Sequence, residues 1–433
     1  MHDVVVVGAG PVGMTVAALC AGDGLDTVVV ERRVGGRDGS RAIGVMPASL
    51  EILDRIGVAD AMVERGVTVT RAFVHGRRRL LGQLEFSGIS GKYPYVLVVP
   101  QVETETILRE RLNTLGVPIL EGTEFTGSIE NIVDGLRLFL AANASSVDDD
   151  RFVRVHSDGA GGSDGIINSI LDTSFVSCAD GFHGRCGGRP GFTGLPRFMP
   201  YRFIMGDTVD KSDLGSDAHL WFTPTGAIES FPLTAGRRRW IAQLPGGLYR
   251  IAGEPHRIPE TLQTLVGERT GYPLENEEFT WTSSFRPVTR IARAAGAGRV
   301  FLAGDALHTM SPIGGQGMNT GLADAELLAE LLGRLHRTGG DRFSLEEVHR
   351  IYGTARLGSG RSAARRAVVG THIGSLRGGI PSALRSVILG MILASPVTGF
   401  LASHFTMRTI PYRRSIHALR RRTGITRISP SRR

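Results

Sequence analysis

MHDVVVVGAGPVGMTVAALCAGDGLDTVVVE, residues 1–31, is the stretch that decides the fold. Val4 to Val7 is a run of β-branched residues, the composition of a strand buried on both faces. Gly8, Gly10 and Gly13 follow at once, and Met14 to Leu19 reads as an apolar helix. A second strand pattern, Thr27 to Val30, ends on Glu31. In the motif G-A-G-P-V-G, Gly8 permits a tight turn and Gly10 lets a pyrophosphate approach bare backbone. Gly13 lets helix and strand pack closely. Pro11 and Val12 open the helix, where the missing N–H of proline has no partner to lose. The helix N-terminus then offers free N–H groups and a positive partial charge to phosphates. Glu31 lies 18 residues past Gly13, near the spacing at which a carboxylate accepts ribose hydroxyls. A glycine turn without a ligand is the competing explanation. Strand, helix, second strand and acid in one register favour a dinucleotide site.

At 433 residues the chain is long enough for two or three units. Hydrophobic residues at 42% and charged residues at 21% fit a folded globular protein. The three cysteines, Cys20, Cys178 and Cys186, show no C-x-x-C spacing, so reduced thiols and a cytoplasmic setting are expected. The N-terminus has neither a basic region nor a cleavage site of a secretory signal. The net charge of +8 is local: Arg408 to Arg433 holds nine arginines and no acid, which leaves 41 basic against 42 acidic residues elsewhere. That pattern suits a solvated terminus. No zinc spacing or aromatic-interleaved basic groove supports nucleic-acid binding, and no metal site is expected.

Pro47 to Ile56 has helical spacing and stops at Gly57. Thr68 to Phe73, Leu80 to Phe86 and Tyr95 to Val99 read as strands, and Gln101 leads into a helix over Val102 to Leu115. Asp148 to Asp164, charged and glycine-rich, reads as a loop. From Phe192 to Phe285 the chain alternates apolar and polar residues between turn signals, which predicts a mostly antiparallel sheet inserted into the first unit. Val300 to Ala303 resumes the buried pattern, and a long helix covers Met318 to Leu335. Ser386 to Phe405 lacks any Asp, Glu, Lys or Arg, but Gly390, Pro396 and Gly399 interrupt it. Two short helices covering the core or lining an apolar entrance are expected rather than a transmembrane span, leaving peripheral membrane contact open.

A second motif runs G-D-A-L-H-T-M-S-P-I-G-G-Q-G-M-N from Gly304 to Asn319. A buried strand ends in an acid that can accept from sugar-chain hydroxyls, then a glycine loop exposes N–H groups at a helix start. Such a place stabilises negative charge developing on a ring. With C-A-D-G-F-H-G-R from Cys178 to Arg185, and with Gln101, the chain resembles the para-hydroxybenzoate hydroxylase-type FAD-dependent aromatic monooxygenases over about Met1 to Leu335.

The resemblance implies an α/β fold: a Rossmann-like FAD-binding domain, an inserted, mostly antiparallel β-sheet substrate domain and a helical C-terminal region. The boundaries it suggests are residues 1–70, 100–190 and 285–340 for FAD, 71–99 and 191–284 for substrate, and 341–433 for the helical region with its basic tail. It implies FAD with its adenosine on Gly8, Gly10, Gly13 and Glu31. Arg32 and Arg41 would touch the nucleotide, Gln101 the ribityl region, and Asp305 the ribityl chain and phosphates. Pro312, Gly314, Gly315, Gly317, Met318 and Asn319 would flank the isoalloxazine. Asp180 would support the flavin and the transient approach of NAD(P)H. The family usually carries a small polar residue where Gly184 stands. The implied activity uses NAD(P)H and O2 to hydroxylate an aromatic or polyketide-like small molecule through a flavin C4a-hydroperoxide. No residue is singled out as catalytic base, His308 is expected to be structural, and oligomeric state is left open. His183, His219, Tyr201 and Arg202 lie on segments that can face a substrate. A flavin halogenase is disfavoured because Trp221, Trp240 and Trp281 stand singly. A flavin oxidase or saturase for a lipophilic metabolite, and a non-catalytic flavin-binding relative, stay open.

Overall fold

Strand His2–Val7 lies between Ile166–Cys178 and Thr27–Val30, parallel to both. Both faces are covered, so Val4, Val5 and Val6 are fully buried, each contributing about 1.5–3 kcal/mol of hydrophobic stabilisation. The computed structural model describes residues 1–35, 42–77, 79–143, 153–154, 166–274, 279–339 and 343–407. Arg41, most of the 148–164 loop and the arginine-rich segment 408–433 lie outside the described residues.

The central sheet runs Gly296–Ala297, Val300–Leu302, Ile166–Cys178, His2–Val7, Thr27–Val30, Ile119–Leu120. Of the five pairings along this order, four are parallel, and only the hairpin of Gly296–Ala297 with Val300–Leu302 at one edge is antiparallel. Strand Ile166–Cys178 is long enough to serve two partners. Its C-terminal half pairs with His2–Val7, and the rest runs antiparallel to Gly135–Asn143. Helix Pro11–Gly22 is wedged among the sheet and helices Gln101–Thr114 and Gln316–Thr338. It is apolar nearly all round because almost every residue from Pro11 to Cys20 is buried.

The second large sheet runs Phe279–Phe285, Phe203–Val209, Arg237–Gln243, Gly226–Leu233, Ala218–Thr223, Arg71–His75, Leu80–Glu85. It is antiparallel except where Ala218–Thr223 meets Arg71–His75. Alternation divides its faces. Ile204, Ile228 and Trp240 pack with Leu262, Leu265 and Val266 of helix Ile258–Thr270, which the sequence pattern did not reveal. The opposite face looks into a cavity.

Two expectations are corrected. The single strand over Thr68 to Phe73 is two: Val67–Val69 joins Val96–Val98 in a small sheet, while Arg71–His75 joins the seven-stranded one. Thr70 turns its carbonyl to the N–H of Phe86 at the junction, and the local alternation shows no break there. Nor are all three thiols reduced. Cys178 and Cys186 form a disulfide with Cα atoms 5.9 Å apart, because the loop after the strand doubles back; Cys20 is free and buried. A separation of eight residues carries no sign of that return.

The chain closes with helices Leu345–Gly374, Gly379–Leu393 and Thr398–Phe405. Ser344 and Glu347 form a capping box at the start of the first. Among the described residues no single helix is long and apolar enough to cross a membrane, and the last two meet at a bend of 103°.

Candidate functional site: two helix N-termini on one cavity

Gly8 has φ +106°, and a Cβ there would press on the backbone of Ala179 and Asp180. A Cβ on Gly13 would strike the carbonyl of Gly8, so this glycine holds strand to helix and does not itself line the cavity. At Gly10 a Cβ would meet nothing within 4 Å. Its bareness serves no packing need, which fits a ligand laid against the backbone. Pro11 and Val12 line the same opening.

Glu31 is 5% exposed and accepts three hydrogen bonds, one short of a carboxylate's acceptor capacity. One oxygen accepts from Ala9 N–H at 2.8 Å, the other from Arg33 N–H at 3.1 Å and Arg33 Nε at 2.9 Å. Burial alone would raise its pKa, but Arg33 and these amides outweigh that and hold it low. Arg33, absent from the expected site, is therefore what orients Glu31; Arg32 is exposed at the cavity rim. Gln101 opens helix Gln101–Thr114 and donates to Glu105 Oε1 at 2.6 Å, and both line the cavity.

Asp180 accepts from Cys186 N–H at 2.9 Å through one oxygen, while the other is buried with no hydrogen-bond partner among the described residues. Burial raises this carboxyl above its ordinary value despite those amides and Arg290. A Cβ on Gly184 would overlap the Asp180 carboxylate. That explains the departure from the family at 184: Asp180 fills the space where a serine side chain would begin. Arg290, also missed in the sequence, donates to the Asp305 carbonyl at 3.2 Å and lies 4.6 Å over the Phe182 ring. It thereby ties the two acid-bearing turns together.

Gly314 and Gly315 adopt φ +81° and +65°, and Gly315 caps helix Gln316–Thr338. Asn319 lies behind this turn, not in the cavity. Its amide donates to Gly44 O at 2.9 Å and Gly315 O at 2.6 Å, and its oxygen accepts from Met46 N–H at 2.8 Å. It sets the glycine loop and does not contact the enclosed space. Pro312, Gly314, Gly315, Gly317, Met318 and Asp305 all line the cavity. Gln316 Oε1 is buried with no partner among the described residues.

His308 is fully buried outside the cavity, its Nε2 2.7 Å from Asp324. Asp324 also accepts from Gly304 N–H at 2.9 Å and from Arg356 Nε at 2.5 Å. Burial pushes the Asp324 carboxyl up, but the charges of His308 and Arg356 prevail and hold it low. This buried network anchors the strand end that presents Asp305. Of the remaining candidates, His183 borders the cavity. His219 is buried in a stack with Phe73, His75 and Trp221, and Tyr201 meets His372 at 2.9 Å. Arg202 lies 5.9 Å over the Tyr249 ring. Among the described residues no group of His, Cys, Asp and Glu is arranged to hold a metal.

The cavity has a volume of about 1420 Å³ and runs without interruption from Gly8 and Glu31 past Asp305 to the second sheet. That exceeds the roughly 300–1,000 Å³ of an ordinary small-molecule site, leaving room for a cofactor and a second ligand. Open space at Gly10, the unpartnered Asp180 oxygen and two helix N-termini on one space fit FAD.

Comparison with known proteins agrees. The chain belongs to the FAD-binding-domain family, whose model matches residues 1–351. It is 32% identical over 395 residues to the 6-methylpretetramide 4-monooxygenase of Streptomyces rimosus, covering 90% of this chain and 66% of that protein. It spans 62–66% of the length of several curated relatives it matches. The fold superposes on p-nitrophenol 4-monooxygenase from Pseudomonas putida with TM-score 0.80 at 22% identity, covering 94% of this chain and 97% of that one. An aklavinone-11 hydroxylase solved with FAD and aklavinone gives TM-score 0.70 at 22% identity, covering 87% and 69%.

Proposed function

We propose that the protein is an FAD-dependent monooxygenase that uses NAD(P)H and O2 to hydroxylate an aromatic or polyketide-like small molecule. The observation that carries this is the single cavity that joins both glycine turns to an apolar sheet face. FAD, when bound, supplies two-electron redox chemistry and oxygen activation. In this reading residues 1–70, 100–190 and 285–340 hold the cofactor, and 71–99 with 191–284 hold the substrate. Gly8, Gly10, Pro11 and Glu31 bind the adenosine half, with Arg32 at the rim. Gln101 and Asp305 hold the middle of the cofactor, and the amides of Gly314 to Gly317 face its ring. The N-terminus of helix Gln316–Thr338 favours negative charge on that ring. Phe203, Met205, Phe231, Ile241 and Phe285 shape an apolar chamber beyond it.

Purified FAD-loaded protein incubated with NADPH or NADH, O2 and polycyclic phenols tests this. Substrate-stimulated reductant consumption with a mass gain of one oxygen is expected. Oxygen uptake with no oxygen incorporated assigns an oxidase instead, and a flavin that neither nicotinamide reduces assigns a binding protein.

A further inference from the structure

Strand Gly226–Leu233 turns Ile228 toward helix Ile258–Thr270 and Ala227, Glu229 and Phe231 toward the cavity. Glu229 is thus a carboxyl on an otherwise greasy wall. Its register partners are Leu220 and Ile241, which line the same space. It is 6% exposed and makes no hydrogen bond or ion pair with any described residue. The charged side chains that border the cavity on this side come from other walls: Arg365 and Arg366 from helix Leu345–Gly374, His404 from Thr398–Phe405, and Arg286 after strand Phe279–Phe285. None of them is paired with Glu229. Burial alone pushes its pKa up to about 7. An unpaired carboxyl adds nothing to packing that a leucine would lack, and burying it unbonded is costly. The cost is recovered when a ligand brings a hydrogen-bond donor.

We propose that Glu229 is the substrate-recognising base of the chamber: it accepts a hydrogen bond from a phenolic hydroxyl and takes its proton. The substrate O–H bond breaks as a carboxyl O–H bond forms. The electron pair stays on the phenolic oxygen, leaving a more electron-rich ring facing the cofactor site and a neutral acid at Glu229. This rests on the aromatic-hydroxylase reading above and adds the proton acceptor that reading lacks. It assigns the substrate class as hydroxylated aromatics, not their ethers.

The test uses FAD-loaded full-length protein and two dyes, 2,6-dihydroxyanthraquinone, whose hydroxyls have no internal acceptor, and its 2,6-dimethoxy counterpart, titrated by fluorescence and absorbance. At about pH 8 the wild type is expected to bind the dihydroxy dye about 10-fold more tightly than the ether, as for a hydrogen bond to a charged group. That preference shrinks as pH falls to about 6 and Glu229 gains its proton. In Glu229→Leu both dyes bind within about twofold of each other. Glu229→Gln keeps the shape of the side chain and loses the pH dependence; it decides the matter should the leucine variant not retain FAD. An unchanged preference in the variants, or equal binding of both dyes by the wild type, overturns the proposal while leaving the hydroxylase reading intact. Failure of both dyes to bind FAD-loaded wild type overturns the hydroxylase reading, and the role of Glu229 with it.

Discussion

Gly10 and Gly13 are three residues apart and do opposite jobs. A methyl at Gly13 collides with the Gly8 carbonyl, so Gly13→Ala is expected to destabilise the protein by about 1–3 kcal/mol, read as a lower melting temperature without FAD. Gly10→Ala has open space for its methyl and should melt like the wild type, yet bind FAD more weakly in a calorimetric titration. Asp305→Ala is expected to purify with little flavin absorbance, because losing one charged acceptor lowers affinity about 10- to 100-fold. Retention of a full yellow complement would reject its role. Residues of this kind were legible from the chain alone, because glycine spacing and a terminal acid are local signals. Arg33, Glu105 and Arg290 were not. Each acts through a partner, Glu31, Gln101 or the Asp305 carbonyl, that only the fold brings near.

Elements show the same division. Helix Gln316–Thr338 and strand Thr27–Val30 were expected within two or three residues, since burial and periodicity coincide there. The break at Thr70 was invisible because two different sheets recruit the halves of one alternating run. The buried group at the heart of the second turn joins Asp324 of one helix to Arg356 of the next and to His308. Replacing Asp324 by Asn leaves Arg356 buried without its counter-charge and is expected to destabilise by about 3–5 kcal/mol in denaturant titration. The sign with pH follows from the lowered carboxyl. Its stabilising contribution is complete above the ordinary carboxylate range and fades as pH falls through the lower native value. The acid-unfolding limb below about pH 4 should therefore be shallower in Asp324→Asn than in wild type.

At the scale of the whole molecule, the far wall of the chamber is made by chain outside both large sheets. Leu389, Leu393 and Phe405 line it, and Phe405 stacks on Phe86 with ring centroids 5.9 Å apart. If that wall keeps water out, Phe405→Ala should keep its FAD but release more hydrogen peroxide per NAD(P)H consumed, measured with an oxygen electrode and catalase. Equal coupling would show that closure lies elsewhere. The outward side of helix Gly379–Leu393 leaves Ile380 84% and Met391 61% exposed. The pairing of His2–Val7 with Ile166–Cys178, and of that strand with Val300–Leu302, has a cost during synthesis. The first valines meet Thr27–Val30 early, but their other edge waits for Ile166–Cys178, and that strand in turn waits for Val300–Leu302; loop closure over such distances is slow. A nascent chain arrested before residue 166 would carry its valine strand with one edge unpaired. Yield in a heterologous host should accordingly respond more to chaperone supply and slow translation than to surface mutation.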